Sequence, residues 1–133
     1  MKRIRLILAD DHPEVLETVT KLLEQKFEIV GTASNGQALL DAAISLKPDV
    51  LVMDISMPIL SGLGAARKLK EAGCAAKIVF LTVHHDPDIV RACLDCGALG
   101  YVVKPRLATD LFVAIQEVLD GRTFVSSPLD SLK

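Results

Sequence analysis

Short apolar runs alternate with longer amphipathic segments along almost the whole chain, and this alternation restricts the fold more than any other feature. Runs rich in Val, Ile and Leu predict strands at 4–9, 27–33, 49–53, 77–83 and 99–103. The runs are apolar throughout instead of alternating with polar residues, which is typical of strands buried on both faces. We therefore expect a sheet that is covered by helices on each side.

Apolar residues at helical spacing fill the intervals between these runs. They predict helices at 13–26, 36–47, 61–72, 87–96 and 108–120. Pro13 and Pro87 suit the first turn of a helix, and Gly121 suits a helix end. The repeated strand–helix order predicts an α/β fold with a doubly wound, parallel, five-stranded sheet and right-handed crossovers.

Composition narrows the class of protein. A chain of 133 residues corresponds to about one domain, which we expect over residues 1–121 with a tail or linker over 122–133, where helical periodicity ends. A net charge of −2 provides no basic field for nucleic acid or an anionic membrane surface. No apolar run approaches the ~18 residues of a membrane span. Three cysteines are too few for a disulfide framework, so a cytoplasmic protein is expected.

Charged and hydroxyl side chains occur where the predicted strands finish. Asp10 and Asp11 end the apolar run of "RLILADDHPE", Asp54 ends "VLVMD", Thr82 ends "VFLT" and Lys104 ends "YVVK". Ligands of open parallel sheets bind beyond the carboxyl ends of the strands. Each residue alone is typical of a helix cap, a strand or the surface, but their coincidence predicts a shared site.

The chemistry of this set favours phosphoryl transfer. Clustered carboxylates repel one another, and a few carboxylate oxygens suit Mg²⁺, which keeps several waters. Lys104 offers a positive charge and Thr82 a hydrogen-bond donor to the same phosphoryl group. An aspartate is itself a nucleophile that forms an acyl phosphate.

Four motifs, "LADDH", "LVMDISMPILSG", "VFLT" and "GYVVKP", resemble in order and spacing the receiver domain of two-component response regulators, over residues 4–121. The segment "LFVAIQEVLDGRTFVS" resembles receivers that precede a helix-turn-helix DNA-binding domain. The resemblance implies a flavodoxin-like sheet in order 2-1-3-4-5, and a phosphoacceptor switch rather than an enzyme. It implies a sensor histidine kinase as partner, and DNA contact only through an output domain absent from this chain. It leaves open a homodimer formed on phosphorylation.

The resemblance also implies roles for the acidic residues and the lysine. Asp54 would accept the phosphoryl group from the kinase, and Lys104 would pair with the phosphoryl oxygens. Asp11 would hold Mg²⁺ directly and Asp10 through water. Asp54 and the backbone carbonyl of Ser56 would complete the protein ligands of the metal.

Further implied roles concern switching and phosphate lifetime. Thr82 would move to bond the phosphate, Tyr101 would rotate inward behind it, and Pro105 would follow a cis peptide bond, which X-Pro sequences tolerate. Ser56 and His84, each two residues beyond a site residue, would control the access of water. Neither is an acidic or amide residue, so we expect hydrolysis that is not especially fast.

Two other functions remain open. A haloacid-dehalogenase-type phosphohydrolase uses a similar residue set, but its common D-x-D pattern follows the first strand, whereas Asp10 and Asp11 are adjacent. An interaction module with a dead site would lack an acid, the lysine or the threonine. The pair Cys93 and Cys96 matches Cys-x-x-Cys, yet it lies late in a predicted helix with no second pair, so packing is the favoured interpretation.

Overall fold

A parallel sheet lies at the centre of the computed structural model, which describes residues 3–83 and 86–126. The strands are β1 (Arg5–Ala9), β2 (Glu28–Ala33), β3 (Val50–Met53), β4 (Lys77–Thr82), β5 (Gly100–Val103) and β6 (Phe124–Val125). The helices are α1 (Pro13–Leu23), α2 (Gly36–Leu46), α3 (Gly62–Glu71), α4 (Pro87–Asp95) and α5 (Leu107–Leu119), with a 3₁₀ turn at Lys104–Arg106. Within the described ranges, no helix combines the length and apolarity needed to cross a bilayer.

The strand order is β2-β1-β3-β4-β5-β6, and every neighbouring pair is parallel. The predicted flavodoxin-like α/β fold is confirmed, with one strand more than the five predicted. The additional strand lies within the expected tail, where Phe124 pairs with Gly100 and Val125 with Tyr101. The domain boundary at residue 121 stays a prediction.

Each strand contributes to two separate cores because successive side chains point to opposite faces of the sheet. In β1, Ile7 packs with α2, α3 and α4 on one face, whereas Leu6 and Leu8 pack with α1 and α5 on the other. All three side chains are 0–1% exposed. This double burial explains why the strand sequences are apolar throughout.

Two arginines near the N-terminus hold the amino edge of the sheet. Arg5 Nη1 donates to the carbonyls of Leu46 and Lys47 at the end of α2, at 2.8 and 2.9 Å. Arg3 Nη2 donates to the carbonyl of Glu24, just after α1, at 2.7 Å. The last carbonyls of a helix have no partner inside it, so these cations satisfy them and complement the helix dipole.

Candidate functional site

The register of the sheet brings the predicted site residues to one edge. Ala9 lies opposite Met53 in the β1–β3 pair, so Asp10 and Asp54, one residue further along each strand, are neighbours. The β4–β5 pair likewise ends with Thr82 opposite the residue that precedes Lys104. Residues far apart in sequence therefore meet at the carboxyl edge, as the strand pattern predicted.

Lys104 lies between two buried carboxylates. Its Nζ is 2.8 Å from Oδ2 of Asp10 and 3.1 Å from Oδ2 of Asp54. Asp10 is 4% and Asp54 5% exposed, so these charges interact with little screening by water. Burial, the largest effect, disfavours the ammonium, but the two carboxylates together outweigh it and raise the pKa of Lys104. The lysine is therefore charged at neutral pH.

His12 links the two adjacent aspartates of the motif. Its backbone N–H donates to Oδ1 of Asp10 at 2.9 Å, and its Nδ1 lies 3.0 Å from the same oxygen. Nδ1 also lies 3.2 Å from Oδ1 of Asp11. Sequence reasoning did not include His12 in the site, although its position directly after two acids was a signal. The imidazole is mostly exposed and borders the acidic cluster.

One buried oxygen of the cluster has spare bonding capacity. Oδ2 of Asp10 is inaccessible to water and has no well-aligned hydrogen bond. It lies 2.8 Å from the Lys104 ammonium, so we regard that contact as an ion pair without hydrogen-bond alignment. Lys104 thus compensates the charge of this buried oxygen, which keeps lone pairs for a further partner.

The donor set fits a hard divalent cation. Ligand atoms of Asp10, Asp11, His12 and Asp54 all lie within 4.8 Å of one another. Carboxylate oxygens are ligands that Mg²⁺ takes, and the underused oxygen of Asp10 points to the same conclusion. Ser56 lies exposed in the loop just beyond Asp54.

The loop between β3 and α3 folds back onto Asp54. The Ile55 N–H donates to Oδ1 of Asp54 at 2.7 Å, and the Gly62 N–H donates to the Ile55 carbonyl at 2.7 Å. A Cβ on Gly62 would lie 2.0 Å from the Asp54 carbonyl oxygen. Glycine is therefore required at this close approach, a role that sequence reasoning missed because the contact is tertiary.

Thr82 and Tyr101 are both buried, at 0% and 1% exposure. Tyr101 lines a cavity of about 510 Å³ between α4, β5 and β6. Burial is the main cause of a raised pKa for Tyr101, and Cys93 and Asp86 raise it further. The phenol is therefore neutral at physiological pH. Rotation of this ring on phosphorylation stays a prediction.

The expected cis peptide bond before Pro105 is wrong. The Lys104–Pro105 bond is trans, as are all peptide bonds in the described ranges. Residues Lys104–Arg106 form a 3₁₀ turn in which the Lys104 carbonyl accepts the Leu107 N–H, and proline suits the start of such a turn. Trans is the intrinsically preferred form of an X-Pro bond by about 0.5–1 kcal/mol. His84 lies outside the described residues, so its effect on hydrolysis stays a prediction.

The cysteine pair is part of the core. Cys93 and Cys96 are 0% and 6% exposed, and the Cys96 thiol donates to the Cys93 carbonyl at 3.0 Å. Burial raises the pKa of Cys93 to about 12, with a contribution from Cys96. Both findings agree with packing as the interpretation of Cys-x-x-Cys.

Comparison with known proteins identifies the class that this fold and site define. Residues 6–116 match the response regulator receiver domain. The chain is 37% identical over 128 residues to the uncharacterized transcriptional regulatory protein YvfU of Bacillus subtilis, covering 95% of this chain and 64% of that protein. It is 36% identical over 127 residues to the nitrate/nitrite response regulator NarL of Escherichia coli K12, covering 93% and 58%.

A solved structure supports the same assignment. The isolated REC domain of RcsB from Salmonella enterica, determined in the presence of phosphomimetic BeF₃⁻, superposes with a TM-score of 0.86 at 32% identity, covering 98% of this chain and 99% of that one. The chain therefore belongs to the response regulator receiver domain family. Receiver domains act in phosphorylation-dependent signalling as switches and not as classical enzymes. The chain spans about three fifths of the length of YvfU and NarL.

Proposed function

We propose that this chain is a phosphorylation-activated switch in which Asp54 accepts a phosphoryl group from a sensor histidine kinase. The observation that carries the proposal is the ion pair between Lys104 Nζ and Asp54 Oδ2, 3.1 Å apart and largely buried. An acceptor carboxylate and a cation for the incoming phosphoryl oxygens are thus held together before any donor arrives. Such preorganised charge is the main way in which proteins promote this type of transfer.

The transfer itself needs little covalent chemistry from the protein. An oxygen of Asp54 forms a bond to phosphorus while the bond from phosphorus to the donor imidazole breaks, and the nitrogen keeps that electron pair. Lys104 exchanges its contact with carboxylate for one with the phosphoryl oxygens. The backbone N–H of Ile55 already donates to Asp54 and fixes the orientation of its carboxylate.

The acidic cluster is proposed to hold Mg²⁺. Asp11 would be a direct ligand and Asp10 would act through water, together with Asp54 and the carbonyl of Ser56. The chemistry that a bound Mg²⁺ supplies is neutralisation of negative charge on the phosphoryl oxygens.

The consequence of phosphorylation is proposed to be a change of the face formed by β4, α4 and β5. The new phosphate brings extra negative charge and strong acceptors to the end of β4. Thr82 would bond the phosphate and Tyr101 would follow. Moving such an equilibrium from 1:99 to 99:1 requires about 5.5 kcal/mol of differential stabilisation.

We propose that the output is transcriptional and that the protein acts in the cytoplasm. Two of the relatives carry names that describe them as transcriptional or response regulators. DNA contact would require an output domain outside this chain, because a net charge of −2 provides no basic field to attract nucleic acid. Homodimerisation on phosphorylation would be measured as a change in molar mass by light scattering.

Intact-mass measurement after treatment with a small phosphodonor tests the proposal. We expect one phosphoryl group on the wild type with Mg²⁺, little without it, and none on Asp54→Ala. Asp41→Ala, which removes an exposed carboxylate from α2, is the matched control and should label normally. Labelling of Asp54→Ala would contradict the assignment of the acceptor. Absence of labelling on the wild type would favour an interaction module with a dead site.

A further inference from the structure

Strand β6 is attached to the strand that carries Tyr101 and leads into Lys104. The backbone N–H of Phe124 donates to the Leu99 carbonyl at 2.9 Å, and that of Ser126 donates to the Tyr101 carbonyl at 2.8 Å. Tyr101 thus lies in a strand paired with β4 on one side and with β6 on the other. Backbone hydrogen bonds therefore join β6 directly to the segment of β5 that holds Tyr101.

The hydroxyl of Ser126 forms a second attachment. Ser126 is 4% exposed, and its Oγ accepts the Val103 N–H at 3.3 Å while donating to Oδ2 of Asp110 at 2.7 Å. Val103 directly precedes Lys104 in the chain. The hydroxyl therefore holds the backbone at the point from which the lysine side chain departs.

Asp110 completes a network on the other side of Lys104. Its carboxylate accepts from Arg106 Nε at 3.0 Å and from Thr109 Oγ1 at 3.1 Å. Burial, the largest effect, disfavours the charged form, but the hydrogen bonds from Ser126, Arg106 and Thr109 outweigh it and lower the pKa of Asp110. Because Arg106 belongs to the turn that starts at Lys104, the network holds the backbone on both sides of the lysine.

A role limited to stability does not explain this arrangement well. Burying a carboxylate and a hydroxyl costs desolvation energy, and apolar residues of similar size are often as stabilising as a buried polar pair. What fully satisfied polar networks add is a defined geometry. Here that geometry concerns the backbone around Lys104.

Resting on the proposed function, we propose that Ser126 is a positioning residue for Lys104 and couples phosphorylation of Asp54 to the attachment of β6. When Lys104 leaves the carboxylates of Asp10 and Asp54 for a phosphoryl group, the backbone at Val103 adjusts. The bonds to Ser126 then change in strength. Because coupling between sites is reciprocal, loosening β6 must in turn alter phosphorylation at Asp54.

Two measurements on the full chain test both directions of this coupling. Amide hydrogen exchange at Val103 and Ser126 is followed with and without Mg²⁺ and fluoroberyllate, a phosphoryl mimic. We expect exchange to change by about fivefold or more, the lower end of typical coupling between sites. The rate of labelling at saturating phosphodonor should fall several-fold in Ser126→Ala and be restored in Ser126→Thr, which keeps the hydroxyl.

Controls separate positioning from a loss of folding. Thr123→Ala removes an exposed hydroxyl from the same segment and should behave as the wild type. Asp110→Asn removes the charge that Ser126 and Arg106 bind, so it should slow labelling in the same direction, and it serves where Ser126→Ala does not fold. The NMR signal of the Lys104 side chain should shift in Ser126→Ala even without phosphodonor, which a remote stability effect would not cause.

Each outcome decides the proposal. The proposal is overturned if Ser126→Ala and Asp110→Asn are labelled at the wild-type rate and amide exchange in β6 does not respond to fluoroberyllate. The proposed function would still stand in that case. No labelling of the wild type would remove the proposed function and the coupling together. Slower labelling in Ser126→Ala but not in Thr123→Ala, with exchange that responds to fluoroberyllate, would establish it.

Discussion

Lys104 determines the electrostatic balance of the site at the scale of single residues. Asp10 and Asp54 are almost fully buried and share one ammonium. Two buried carboxylates without a cation would be strongly unfavourable, since removal of one partner leaves uncompensated charge. A compact ammonium on a flexible stem suits a partner that must exchange carboxylate for phosphoryl oxygen.

Lys104→Met is expected to slow labelling of Asp54 by about 100-fold or more, the usual effect of removing one preorganised charge-stabilising group. This slowing is measured as the rate of phosphodonor labelling, which is followed by intact mass at saturating Mg²⁺. Lys68→Met, on the exposed face of α3, is the matched control. A rate within threefold of the wild type would show that Lys104 does not contact the phosphoryl group during transfer.

Ionisation of Asp110 makes the free energy of unfolding depend on pH, and the direction of that dependence follows from its pKa. Its hydrogen bonds hold the folded-state pKa below the usual value of 3.8. Its contribution to stability is therefore fully present above the unfolded-state pKa and is lost as the pH falls through the lower, folded-state pKa. The difference in unfolding free energy between the wild type and Asp110→Asn, from urea titrations, should be constant near neutral pH and shrink below 3.8. A difference that grows on acidification would be incompatible with a charged, hydrogen-bonded Asp110.

At the scale of elements, the strands and helices were largely predictable because each has a clear period. Helix α4 begins at Pro87 as expected, and the side chain of Asp86 caps it by accepting the Asp88 N–H at 2.8 Å. The predicted first helix ran three residues too far, to 26, because the sequence at its end is still a good helix former. Strand β6 was missed because two residues carry no periodicity.

The conformation of the loop between β3 and α3 depends on the close approach of Gly62 to the Asp54 carbonyl. Gly62→Ala is expected to destabilise the fold by about 1–3 kcal/mol, the usual cost of overpacking, because its Cβ would overlap the Asp54 carbonyl. Labelling of Asp54 should also slow as the loop moves. Urea unfolding and phosphodonor labelling measure the two effects.

Gly64→Ala is the control in the same helix, since its Cβ would meet the flexible end of the Leu60 side chain at 2.8 Å. It should cost less than Gly62→Ala, because a side chain yields more readily than a backbone carbonyl. Equal destabilisation by both substitutions would show that the contact with Asp54 is not the cause.

In the whole molecule, the residues of the proposed site and the arginine contacts that secure two helix ends lie at opposite edges of the sheet. The carboxyl edge gathers the charges of the site, while the amino edge is closed by Arg3 and Arg5 on the ends of two helices. The gathering of the site was predictable from sequence, since parallel strands deliver their last residues to one edge. The network of Ser126 and Asp110 was not, because it depends on where the chain returns after α5.

Arg5→Ala tests this separation. It removes two charge-assisted hydrogen bonds to α2 and should lower the free energy of unfolding by about 1–2 kcal/mol, allowing for their exposure. The rate of Asp54 labelling in the folded protein should stay unchanged. Urea titration and intact mass on the same sample provide both values, and slower labelling would show that the two edges are coupled.

The most direct test of the central claim is a crystal structure with Mg²⁺ and fluoroberyllate bound. The gathered side chains should receive a single phosphoryl-like group on the carboxylate of Asp54. Lys104 Nζ should have moved from Asp10 to a fluorine of that group, and Asp11 should lie in contact with the metal. Fluoroberyllate bound to Asp10 or Asp11 instead, or a Lys104 that retains both carboxylate contacts, would contradict the account.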